Sequence, residues 1–158
     1  MKLSFSSDFR KLMIKSIILT LATVGGVQAG DHNYGPYPEV YVQECGSCHT
    51  PYPAKGLSQA GWNIQLSNLG KHFGTDASLD AHTLEAIRSY LMTQSGRKAK
   101  VAPQEETARM TKTRWFLNEH GKNPPTGSSF SNCTVCHTQA DKGDFNEKSL
   151  KLPKGFSK

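Results

Sequence analysis

Apolar residues return at helical intervals in several stretches of this chain, and in none do they alternate as a half-buried strand requires. Tyr41 and Cys45 share a face behind Pro38, which predicts a helix beginning at that proline, a favoured first helical residue. Trp62, Leu66, Leu69 and Phe73 follow at spacings of four, three and four, a single stripe that Gly74 closes. Leu84, Ile87 and Leu91 predict a third helix starting near Ser78 or Asp80. Shorter helices are expected over 113–120 (TRWFLNEH) and around Cys133.

Between these elements the chain is polar and punctuated. Residues 50–56 (TPYPAKG) form a proline-broken loop, and 30–37 (GDHNYGPY) an irregular arm. Residues 94–107 are charged and aperiodic, so 95–109 reads as a linker or surface loop between a first half, 30–94, and a second half, 110–158. The lysine-rich end, 141–158, is expected to be an extended tail. The pattern is that of an all-α, loop-rich protein in two halves.

Residues 1–29 stand apart. Four bases precede a short apolar run (SIILTLATV), and Val27-Gln28-Ala29 supplies small residues at a cleavage site. This is a cleavable signal peptide, and the run is too short to span a bilayer with ease. Export to the periplasm follows, with no stable membrane insertion after cleavage. The remaining 129 residues carry 15 bases against 12 acids, and these bases are scattered, which argues against nucleic-acid binding. They are also poor in aliphatic side chains, so the chain has only a modest core of its own.

All four cysteines fall in two motifs, Cys45-Gly46-Ser47-Cys48-His49 and Cys133-Thr134-Val135-Cys136-His137. A disulfide framework does not suit such close pairs. A thioredoxin-like dithiol lacks its βαβ context, and a four-cysteine zinc module leaves both histidines unexplained. Attachment of c-type haem uses every residue: two thiols form thioethers and the histidine becomes the proximal iron ligand. Two covalent haem c groups are therefore predicted, and their macrocycles supply the missing interior.

The distal side decides the chemistry, since an open iron binds gas or peroxide and a second strong ligand leaves electron transfer. Four further histidines follow the leader. His82 lies about 170° around its helix from the Leu84/Ile87/Leu91 face and should meet water. His32 is close to the new N-terminus, where order is poor. His72 flanks the second apolar stripe and His120 follows Trp115, Phe116 and Leu117, which makes these two the predicted distal ligands. Chain proximity assigns His72 to the first haem and His120 to the second, with the swapped arrangement open. Met92 is the rival for the first haem, and Met110 a further soft donor.

Several stretches resemble the small dihaem cytochrome c (DHC) family: Tyr41…Glu44-Cys45-Gly46-Ser47-Cys48-His49…Tyr52-Pro53, His72-Phe73-Gly74…Ala77-Ser78-Leu79-Asp80, Thr111-Lys112-Thr113-Arg114-Trp115-Phe116…Glu119-His120, and Cys133…Cys136-His137…Ala140-Asp141-Lys142-Gly143-Asp144-Phe145. Arg114 departs from it, standing where a proline would precede Trp115. The resemblance implies a periplasmic electron carrier, not an enzyme, with two bis-histidine haems. It also implies a small redox partner such as SHP, a monohaem cytochrome that binds oxygen; the upstream donor is not specified. Lys142, Lys148, Lys151, Lys154 and Lys158 form a candidate docking patch. The competing reading is a dihaem peroxidase or gas-reactive protein with one open iron.

Overall fold

The computed structural model describes residues 32–96, 108–154 and 156; the predicted leader and most of the predicted linker lie outside them. Helix α1 spans Glu39–Cys45, with Pro38 at its N-cap, one position earlier than expected. Helix α2, Gln59–Ser67, opens on Ser58, whose hydroxyl accepts the Gly61 N–H. Helix α3, Ala81–Gln94, opens on Asp80, which accepts the N–H groups of His82 and Thr83 and whose carboxyl is thereby held below its usual range. Helix α4, Arg114–His120, is capped by the Thr113 hydroxyl. Arg114 is its first residue, a position that tolerates most side chains as well as proline. Among the described residues β-pairing is limited to isolated bridges, and the fold is all-α and loop-rich as expected.

The stripe predicted through Phe73 breaks after Leu66. Asn68 and Gly70, both poor helix formers, interrupt it, and Asn68 turns its amide back onto the Ile64 carbonyl. A 3-10 turn, Leu69–Lys71, follows, and Phe73 leaves with φ 48, 48% exposed. His72 therefore rides on a turn rather than a helix flank.

One core joins both halves of the chain. Tyr41, Trp62, Leu66, Ile87 and Leu91 from α1–α3 pack with Met110 and Phe116 from beyond the linker. Its polar atoms are satisfied locally: Trp62 Nε1 donates to the Ala54 carbonyl at 2.7 Å and the Tyr41 hydroxyl to the Tyr52 carbonyl at 2.7 Å. The far side of the molecule is tied by backbone instead. Phe145 N–H donates to the His32 carbonyl and Tyr34 N–H to that of Gly143, so the N-terminal arm is pinned. Nor is 141–158 wholly an extended tail. It forms 3-10 turns at Ala140–Lys142 and Glu147–Ser149, and Lys151 N–H donates to the Cys136 carbonyl. The backbone groups of the second motif need partners, and this segment supplies them without a periodic apolar signal. No helix among the described residues is long and apolar enough to cross a membrane.

Candidate functional site

The first motif begins where α1 ends. Cys45 is the last helical residue and packs against the core, while Cys48 lies one turn further on and is exposed. The second motif is a 3-10 turn, Cys133–Val135, closed by the Cys136 and His137 N–H groups on the Cys133 carbonyl. All four cysteines are free. Burial pushes the Cys45 and Cys133 thiols up to about 11 and raises Cys136 as well. Redox dithiols and zinc thiolates need the opposite, a depressed pKa. Among the described residues no group of three or more His, Cys, Asp or Glu side chains converges on a cation-sized site.

The histidines instead come together in twos. The rings of His49 and His72 lie with centroids 6.3 Å apart and planes within 27°. Those of His120 and His137 lie 6.1 Å apart at 62°. Two imidazoles on opposite faces of one metal ion, each bonded at about 2.0–2.1 Å with the ring centre about 1.1 Å beyond the nitrogen, stand about 6.2–6.4 Å apart. The first pair has that spacing and the second lies within about 0.1 Å of it. A porphyrin supplies four nitrogens of its own, so two protein ligands per site complete an iron.

The surroundings set each ring. His49 Nδ1 donates to the Thr50 carbonyl at 2.8 Å, and His120 Nδ1 to the Phe116 carbonyl at 3.2 Å, leaving Nε2 of each as the lone-pair donor. Tyr52 stacks on His49 at 4.8 Å, and Phe116 on His120 at 4.1 Å and 12°. His120 is the last residue of α4, which stops there because Gly121 turns away at φ 74. Burial first, then the facing imidazole, lowers the pKa values of His72 and His137, so both favour the neutral, ligating form. His137 Nδ1 is buried and has no hydrogen-bond partner among the described residues.

The remaining sequence candidates sit elsewhere. His82 is exposed on the outer face of α3, and His32 is exposed, bonded through its backbone to Asn146 and through its ring to Tyr34. Met110 is buried and Met92 packs against the same core. Two neighbours escaped the sequence reading. Arg109 lies over the Phe73 ring at 4.4 Å beside His72, and Thr50 is buried between the two motifs. Only Thr50 left a signal, its place directly after the first motif.

The dihaem cytochrome c family model matches residues 41–145. Among solved structures, the chain is similar to a diheme cytochrome c from Rhodobacter sphaeroides, at 31% identity and TM-score 0.58, over 68% of this chain and 96% of that one. It is similar to the diheme cytochrome type c of Shewanella baltica OS155 at 33% identity and TM-score 0.60, over 76% and 96%. A further structure, of DHC purified from Rhodobacter sphaeroides, gives 34% identity and TM-score 0.56 over 70% and 98%. No curated protein matches.

Proposed function

The chain belongs to the dihaem cytochrome c family and holds two covalent c-type haems, and from that premise we propose that it carries single electrons through two irons, each closed by a pair of imidazoles. Cys45 and Cys48 anchor the first haem with His49 as proximal ligand; Cys133 and Cys136 anchor the second with His137. His72 and His120 are the respective distal ligands. The observation that carries this reading is the shared spacing of the two imidazole pairs, 6.3 and 6.1 Å.

Each bound haem supplies a one-electron ferric–ferrous couple. The chain's own task is to hold four rings still. Thr50 and Phe116 carbonyls fix the tautomers of His49 and His120, and Tyr52 and Phe116 fix their planes. With His49 and His72, and His120 and His137, holding the two irons, each would stay low-spin in both oxidation states, so little would rearrange on transfer. These four imidazoles would also leave no position for peroxide or gas, which favours a carrier over a peroxidase.

The mature protein is proposed to work in the periplasm after loss of residues 1–29. Its proposed acceptor is a small redox protein of the SHP type, met through a transient, charge-steered encounter. Lys142, Lys148, Lys151 and Lys154 are exposed on the segment that covers the second motif, which supports them as the docking patch; Lys158 lies outside the described residues. The deciding experiment is carbon monoxide binding to the reduced protein. Two low-spin haems with negligible uptake are expected, and rapid uptake would return the open-iron alternative.

A further inference from the structure

Thr50 is a buried polar residue, 8% exposed, and its carbonyl, N–H and hydroxyl oxygen each bond to a residue in or next to one of the two haem motifs. Its carbonyl accepts from His49 Nδ1 at 2.8 Å. Its N–H donates to the Ser131 carbonyl at 3.2 Å, and its hydroxyl oxygen accepts the Cys133 N–H at 3.1 Å. Cys133 and His49 are 84 positions apart in sequence, yet a single residue bonds to both. Buried donors and acceptors in a low-dielectric interior polarise one another, so bonds in such a chain respond together.

We propose that Thr50 is the positioning residue that couples the two redox sites, joining the proximal imidazole of the first to the thioether anchor of the second. The route runs from His49 Nδ1–H through the Thr50 carbonyl and side chain to the Cys133 N–H, whose side chain carries the second haem. Oxidising the first iron draws electron density from His49 and strengthens its bond to the Thr50 carbonyl. The hydroxyl passes that change to Cys133, and by linkage the second site acts equally on the first. No proton leaves any of these groups; in a titration each electron comes from, or returns to, the added reductant or oxidant. The hydroxyl also fixes where the second motif sits relative to the first. Shape alone does not require it, because valine has the same outline.

This inference rests on the ligation proposed above, and its test separates the two. Thr50→Val and Thr50→Ser are made in the full haem-loaded protein. Redox titrations are followed by NMR, in which each haem reports its own reduced fraction, and the Cys133 amide is followed by hydrogen exchange. In the parent, reduction of one haem changes the electron affinity of the other by a measurable factor. Thr50→Val is expected to keep both haems low-spin, to lose protection at the Cys133 amide and to reduce that factor roughly 3–10-fold, the equilibrium equivalent of one hydrogen bond. Thr50→Ser, which keeps the hydroxyl, is expected to behave as the parent. Lost amide protection with an unchanged factor would overturn the proposal and leave Thr50 a purely structural clamp. A fall in Thr50→Ser equal to that in Thr50→Val would overturn it too. Should Thr50→Val not mature, Thr50→Ala takes its place against Thr50→Ser, and equal coupling in those two is again a refutation. A high-spin haem in the parent itself would instead count against the bis-histidine reading.

Discussion

Replacing His72 by alanine tests the first site most directly. The side chain is half-buried and lies outside the core cluster, so its loss should cost the fold little beyond the iron bond, within about 0.5 kcal/mol as for other peripheral truncations. On the proposed ligation, a 6.3 Å pair with one member removed would leave His49 as the sole axial ligand, because among the described residues no other histidine ring pairs with it. The spectroscopic change is then fixed by stoichiometry. One of the two haems becomes high-spin and binds carbon monoxide, while the other stays low-spin, so half of the haem absorbance responds. Added imidazole should restore the low-spin spectrum by entering the space left behind. The assay is a visible and electron paramagnetic resonance titration of His72→Ala beside His82→Ala and His32→Ala, which should match the parent. Two low-spin haems in His72→Ala would refute the argument from spacing. A high-spin signal in Met92→Ala alone would transfer the ligand role to that sulfur.

His120→Ala should convert the other haem in the same way, and the double variant should convert both. Denaturing mass spectrometry of the exported protein should show the chain from Gly30 plus two haems. Arg109→Gln should lower the potential of the first haem relative to the second, since a cation beside an iron favours the ferrous form; the shift should shrink with salt because Arg109 is exposed. Ile87→Ala removes a fully buried side chain and should cost about 2–5 kcal/mol in denaturant unfolding, with both haems still low-spin in the folded state. Electron delivery to an SHP-type partner should slow as ionic strength rises, and an indifferent rate in stopped-flow would remove the lysine patch.

The chemistry of this chain was more legible than its shape. Two CxxCH motifs state their cofactor because the spacing serves few other purposes, and the apolar run Trp115-Phe116-Leu117 ahead of His120 was legible in the sequence. Helix α3 begins just after Asp80, one of the two starts expected for it, and α4 fills the stretch expected over 113–120 from its second residue on. The Trp62–Phe73 stripe misled because periodicity counts side chains and ignores the backbone cost of Asn68 and Gly70 between them. The folded segment 146–151 was missed for a related reason. Backbone bonds such as Lys151 N–H to Cys136 hold it, and backbone carries no sequence signature. The contacts of Thr50 with Cys133 and of Arg109 with Phe73 cross more than thirty residues, which no local pattern encodes, although Thr50 stands directly after the first motif.

The two histidines proposed as distal ligands are mounted very differently, and heat should find the difference. His120 closes a helix, with Phe116 stacked on its ring and that ring's neighbour sunk in the core. His72 hangs from a turn whose next four residues are all exposed and two of which are left-handed. A site fails at its softest support, and local opening precedes global unfolding where few buried contacts oppose it. The low-spin spectrum should therefore give way to a high-spin one in two stages on warming. The first iron slips its outer ligand while the second is still clamped, and on cooling the order of recovery runs in reverse.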